Sequence, residues 1–193
     1  MDVPQKLDSL GAFLATVEIL SPFTTEEIER LAEQAETRFH AFGETVCNAG
    51  DAADGLFVIK AGSVRIFTEE NGKEISMGVR REREVFADIA MLREYRHESS
   101  VRSSGKTELL FIPRRVIEPI VANNPAALAF VTSYVAISSA GGFVAKLFDL
   151  RGKIDKAELE ASVRSVGVKR VAAGKEIIHQ DARDDRRDRK SVV

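Results

Sequence analysis

From Phe39 to Pro113 the chain alternates short apolar runs with turn residues, and only a β-rich fold with many tight reversals accommodates that rhythm. The expected strands are Phe39–Phe42, Thr45–Cys47, Gly55–Ala61, Ser63–Thr68, Glu74–Val79, Ser99–Ser103 and Glu108–Pro113. Gly43, Gly50-Asp51, Asp54-Gly55 and Gly62 punctuate them. Asn71-Gly72, between Phe67 and Ile75, is a strong hairpin signal, because both central positions of a type I′ turn need positive φ. Many short strands at this spacing predict a sandwich or jelly roll. Phe39, Phe42, Phe57, Phe67, Phe86 and Phe111 fall on such strands and are expected in its core.

Helical periodicity flanks the strands. Residues 24–37 form an expected amphipathic helix, with Thr24 and Glu27 in capping-box spacing and Phe23 placed to staple the first turn. Ile28, Leu31, Ala32 and Ala35 make its apolar stripe. Beyond Pro113, Arg114–Asn123 reads as a short helix, and Pro125 opens a longer one over Ala126–Phe148, with Gly141-Gly142 as a candidate break. This last stretch is apolar enough to raise the question of a membrane span. Thr132, Ser133, Ser138, Ser139, Gly141, Gly142 and Lys146 argue instead for a buried or partner-facing helix. The expected fold class is mainly β with flanking helices, in the order helix, eight strands, two helices.

Composition narrows the function classes. The 193 residues suit one domain of ordinary size with some excess. A net charge of −2 gives no reason to propose nucleic-acid binding. Cys47 is the one cysteine, so an internal disulfide is excluded; its strand setting makes it a small buried hydrophobe rather than a nucleophile. His40, His97 and His179 show no metal-ligand spacing, so no metal is expected. Ser103-Ser104-Gly105-Lys106-Thr107 imitates the end of a phosphate-binding loop, but lacks its first glycine and the strand-to-helix setting. No set of residues for catalysis is present, so the chain is not expected to be an enzyme. The N-terminal MDVPQKLDSL lacks the basic start and apolar run of a signal peptide, and a cytoplasmic location is expected, either as a free protein or as the cytoplasmic part of a membrane protein.

The stretch Phe86 to Val101 (FADIAMLREYRHESSV) resembles the phosphate-binding cassette of the cyclic-nucleotide-binding domain family. Phe86 and Val101 match the ends of that cassette with no gap between them. Leu20-Ser21-Pro22-Phe23, Gly43-Glu44, Gly50-Asp51, Leu56-Phe57-Val58-Ile59 and Gly62-Ser63-Val64 add further markers in order, so the resemblance covers roughly residues 10–148. It implies the family's jelly-roll β-roll and a regulatory, ligand-sensing role.

In the family the cassette reads F-G-E, a short helix, then R-x-A-T-V. The helix aims its free N-terminal amides at the cyclic phosphate, the Glu accepts from the ribose 2′-hydroxyl and the Arg contacts an exocyclic oxygen. Here the Gly is Ala87, the Glu is Asp88 and the Arg is His97. Residues 87–92 would form the helix. Ala87 adds a methyl where space is tight, and Asp88 is one methylene shorter. With an ordinary pKa of ~6.5, His97 is mostly neutral at pH 7. Arg96 is the obvious substitute cation but needs a bulge to turn inward. Arg80, Arg81 and Arg83 precede the cassette in a charged loop, and Glu98 adds negative charge. The candidate ligand-binding residues are Phe86, Ala87, Asp88, Ile89, Ala90, Arg96, His97, Glu98, Ser99 and Ser100. Three readings stay open: a weakened cyclic AMP or cyclic GMP site, a site for a different small ligand, or a degenerate pocket that binds nothing.

A second copy of the pattern begins downstream. With one constant offset, Phe23 meets Ile154, Ile28 meets Leu159, Arg38 meets Lys169, Gly43 meets Gly174 and Val46 meets Ile177. The expected organisation is a cyclic-nucleotide-binding-like domain over 1–148, the start of a second copy over 149–187, and a non-native tail over 188–193. Back-translated, that tail (DRKSVV) matches a common sequencing-adapter read-through. The expected whole is the N-terminal part of a larger tandem-domain protein, with its effector domain beyond these residues. Residues 126–147 are a candidate homodimer seam. The rival readings are a non-binding scaffold for protein contact and a transcription regulator of the catabolite-activator type.

Overall fold

The computed structural model describes residues 10–147, apart from residues 93 and 94. The expected second copy over 149–187 and the tail over 188–193 lie outside the described residues.

Among the described residues, eight strands form two antiparallel four-stranded sheets. They are β1 (Glu36–His40), β2 (Thr45–Cys47), β3 (Gly55–Ala61), β4 (Ser63–Glu70), β5 (Lys73–Arg81), β6 (Val85–Phe86), β7 (Ser100–Ser103) and β8 (Thr107–Pro113). One sheet runs β1-β8-β3-β6 and the other β2-β7-β4-β5. The longer helices among the described residues are α1 (Thr25–Gln34), α2 (Arg114–Asn123) and α3 (Pro125–Leu147). This is the expected class, mainly β with flanking helices. α3 runs through Gly141-Gly142 without the candidate break. A division of the chain into compact units falls within α3, between Tyr134 and Val135.

Local chemistry accounts for the turns. β4 and β5 are joined by Asn71-Gly72, with φ of 54° and 73°, the paired positive values that a two-residue type I′ reversal requires. At α1 the capping box is complete: the Glu27 amide donates to Thr24 Oγ1 at 3.2 Å, and Glu27 Oε2 accepts from the Thr24 amide at 2.8 Å. At the β7–β8 turn, buried Ser103 donates to the Gly105 carbonyl at 2.6 Å, and buried Thr107 donates to the Ser63 carbonyl at 3.0 Å. The Ser103–Thr107 run thus ties a hairpin to β4 and does not cradle a phosphate.

The core lies between the sheets. Phe57, Ile59, Phe86, Leu109 and Phe111 from one sheet meet Cys47, Val64 and Val101 from the other. Phe57 stacks on Phe86 at 4.7 Å and tilts against Phe111 at 4.8 Å. Phe39 and Phe42, by contrast, are 65% and 82% exposed, so these two are not core. The cause is register. β1 starts at Glu36, and Arg38 pairs with Leu109 of β8. Side chains alternate along a strand, so Arg38 turns inward, its guanidinium 3.8 Å from the Phe111 ring centroid, and Phe39 turns out. Phe42 lies beyond the strand, in the turn before β2.

Asn124 joins the helical layer. Its Oδ1 accepts from the Ala127 amide at 3.0 Å, capping α3, and its Nδ2 donates to Glu27 Oε2 at 2.9 Å. Asn124→Ala removes the cap and the tie together, and should lower unfolding free energy by about 2 kcal/mol in chemical denaturation. A loss below about 0.5 kcal/mol would show that water replaces both contacts.

No single described helix is long and apolar enough to cross a membrane; α2 and the first part of α3 together pass a length-and-composition test, but with a 116° bend between them.

Candidate functional site: the divergent cassette

The cassette starts where β6 ends. Phe86 is buried against Phe57, which fixes the chain entering the loop. Ala87 then adopts φ +59°, the left-handed conformation that glycine takes freely and an L-residue takes at a cost of roughly 1–2 kcal/mol. The glycine-like backbone is therefore retained around an alanine. Left-handed Ala87 cannot open a right-handed helix, so the expected helix over 87–92 shortens to a 3₁₀ turn at Asp88–Met91, in which the Ala90 amide donates to the Ala87 carbonyl at 3.0 Å. Ala90 and Met91 are buried and anchor the turn to the roll. Ile89 sits between them and Asp88.

The return limb is zipped to the loop before β3. The Ala53 amide donates to the Tyr95 carbonyl at 2.9 Å, the His97 amide to the Asp51 carbonyl at 3.0 Å, and the Gly50 amide to the His97 carbonyl at 2.8 Å. Ser100 Oγ accepts from the Ala49 amide at 3.0 Å. Ser99 is half-buried and Glu98 is exposed. Arg96 does not turn inward: it bridges to Ala52, its side chain is exposed, and Nη1 donates to the Gly50 carbonyl at 2.7 Å. Arg83 is exposed and lies 3.7 Å from Glu82. Arg96, the substitute cation expected from the sequence, is thus tied to the 48–52 loop.

His97, at the family's arginine position, is buried. Burial pushes its pKa below the ordinary value, against the opposing pull of the Asp51 and Asp54 carboxylates. Asp51 itself is held below the usual carboxylate range, first by the Asn48 backbone amide at 3.0 Å and then by the Asn48 side chain at 3.2 Å. The site therefore holds an imidazole whose charged form burial disfavours, beside an Asp51 carboxylate whose charged form is favoured. The thiol of buried Cys47 is pushed up to about 12, chiefly by burial and then by the Asp51 carboxylate. It has no thiolate available for nucleophilic chemistry at neutral pH.

A pH signature follows. The folded state binds fewer protons at His97 than the unfolded state, so stability falls as pH drops through the unfolded value of ~6.5 towards the lowered folded value. Thermal unfolding should show a lower Tm at pH 5.5 than at pH 7.5, and His97→Gln should flatten that slope. An unchanged slope in the variant would assign the effect to other groups.

The sequence reading did not find Asp51 and Asp54 as neighbours of His97; Gly50-Asp51 and Asp54-Gly55 registered only as turn punctuation. It also missed a cluster on the second sheet. Arg65 and Arg102 both reach Glu74, the latter at 2.8 Å, and their guanidiniums lie 5.2 and 4.7 Å from the Phe67 ring centroid. Among the described residues, no group of His, Cys, Asp and Glu is arranged to hold a metal ion.

The two antiparallel sheets, the cassette loop and the flanking helices define a β-roll of the cyclic-nucleotide-binding type. Residues 37–124 match the family model of the cyclic nucleotide-binding domain. Over 96 residues it is 28% identical to a cAMP-dependent protein kinase regulatory subunit of Blastocladiella emersonii, covering 49% of this chain and 24% of that protein. Over 110 residues it is 29% identical to the cyclic AMP receptor protein of Thermus thermophilus, covering 53% of this chain and 51% of that one. The sensor domain of the transcriptional regulator DNR from Pseudomonas aeruginosa has the same fold, with a TM-score of 0.62 at 17% identity over 74% of this chain and 93% of that structure. The chain spans about a quarter to a half of the length of these curated relatives.

Proposed function

We propose that this chain is a ligand-sensing regulatory module, not an enzyme, whose cassette has kept its backbone shape and lost its cation. The observation that carries this reading is Ala87, held at φ +59° at the family's glycine position although the side chain there disfavours it. Strain of that kind persists where the surroundings over-determine a functional loop. Ligand binding would order the Asp88–Met91 turn, and α2 and α3 would carry the signal to an effector domain in a larger, cytoplasmic tandem-domain protein. Export transporters, kinases and hydrolases are effector classes that suit such a module.

The experiment is a thermal-shift titration of the full chain with cyclic AMP, cyclic GMP, adenosine and guanosine. A ligand at a hundred times its dissociation constant should stabilise the fold by about 2.7 kcal/mol, a readable rise. The absence of any shift at millimolar concentration for all four would overturn the reading in favour of a scaffold. One observation favours that second reading: Leu128 and Phe130 on α3 are 41% and 36% exposed, apolar surface suited to a homodimer seam over residues 126–147. Light scattering across a concentration series, with Leu128→Lys as the control, distinguishes dimer from monomer.

A further inference from the structure

Arg80 and Arg81, expected in a charged loop, are strand residues, and the register of β5 separates them. Arg80 pairs with Val64 of β4 and Arg81 with Ser63. Directly paired side chains share a face, and successive ones alternate. Val64 is fully buried in the inter-sheet cluster that also holds Phe86, so Arg80 rises on the inner face of the second sheet. Arg81 points the other way and is exposed. Arg83, in the turn beyond β5, lies 3.7 Å from Glu82. Ala87 packs against the same cluster as Val64. Of these three arginines, Arg80 is the one that the register turns towards the cluster on which the cassette begins.

Its guanidinium is also uncommitted. Arg65 and Arg102 are held by Glu74, and Arg96 by the Gly50 carbonyl. Among the described residues no carboxylate pairs with half-buried Arg80. The carboxylates of the neighbouring loops have partners of their own: Asp51 accepts from Asn48, and Glu84 from the Arg81 amide. Arg80 Nη1 lies over Gly78, 3.7 Å from where a Cβ would stand, and beyond the adjoining chain no other atom of the described residues comes within 4 Å of that point. Glycine at 78 thus leaves space beside the charge. A guanidinium partly removed from water with no counter-charge is costly to leave unpaired. An anion entering beside it makes a charge-assisted contact without breaking an existing one.

We infer that Arg80 on β5, and not a residue of the cassette itself, supplies the cation that holds an anionic ligand in this module. This rests on the reading of the chain as ligand-sensing. The test is calorimetric titration of the full chain with cyclic AMP and cyclic GMP, and with adenosine and guanosine as their uncharged counterparts. The parent is compared with Arg80→Gln, Arg80→Lys and Arg81→Gln. The expected result is that one cyclic nucleotide binds tighter than its nucleoside. Arg80→Gln should weaken that cyclic nucleotide by about tenfold or more and leave the nucleoside unchanged. Arg80→Lys should keep part of the affinity, and Arg81→Gln, on the outer face, should keep all of it. Cyclic-nucleotide binding that Arg80→Gln does not move in a folded variant, or that Arg81→Gln weakens equally, overturns this inference and leaves the regulatory-module reading standing. So does a nucleoside that binds the parent as tightly as its cyclic nucleotide. Binding of none of the four overturns both.

Discussion

Gly55→Ala should lower the stability of the roll by about 3 kcal/mol, a fall in Tm of about 10 °C. Gly55 opens β3 and pairs with Pro113 at the end of β8. An added Cβ would sit 2.3 Å from the Ile112 carbonyl oxygen and 2.7 Å from Phe111 Cε2. The first obstacle is backbone, held in the β3–β8 ladder, and cannot rotate away. The second is a ring locked between Phe57 and the Arg38 guanidinium. Relief would require the two strands to separate at the point where α2 leaves the roll, since the Arg114 amide donates to the neighbouring Asp54 carbonyl at 2.7 Å. Gly105→Ala is the matched control: nothing lies within 4 Å of its added Cβ, so its effect should stay within about 0.5 kcal/mol. Denaturant unfolding of both variants measures the difference, and equal losses would mean that the close approach at Gly55 relaxes at little cost.

That glycine also shows where sequence reading runs out. Asp54-Gly55 looks like turn punctuation, whereas the structure requires glycine there for a close approach inside a strand. Signals confined to neighbours in the chain were legible: the Asn71-Gly72 reversal, the Thr24–Glu27 capping box, and the alternation that places β3, β4 and β8. The two residues of β6 were not, since so short a strand has no period of its own and exists because Phe57 and Val58 pair with it. β1 was placed three residues late because Phe39 and Phe42 look like core. Only the pairing of Arg38 with Leu109 decides which face is inward. In the cassette the departures at Ala87, Asp88 and His97 were visible as letters. Their consequence was not, because the carboxylates that surround His97 arrive from a loop more than forty residues earlier in the chain. Charge at a site is a tertiary property, and no local pattern announces it.

The double variant Ala87→Gly with His97→Arg should bind cyclic AMP or cyclic GMP ten- to a hundredfold tighter than the parent. The two changes act through different quantities. A guanidinium at position 97 supplies a charge-assisted contact to a phosphate oxygen, worth roughly 1.5–3 kcal/mol, which sets the size of the affinity gain. Before ligand arrives, that guanidinium has Asp51 and Asp54 as partners, so part of the contact is already spent in the free protein and the gain should fall towards the lower end. Glycine at 87 removes a left-handed strain of about 1–2 kcal/mol from the free protein. Its main effect is on stability, offset in part by the greater freedom of glycine in the unfolded chain. It touches affinity only through the space its missing methyl opens. The single variants separate these roles: Ala87→Gly should raise the denaturation midpoint with little change in binding, and His97→Arg should change binding most. A folded double variant with no tighter binding than the parent would show that the cassette departs from a nucleotide site in more than these two side chains. A gain carried by Ala87→Gly alone would show that steric closure, not the missing cation, is what keeps the cyclic phosphate out.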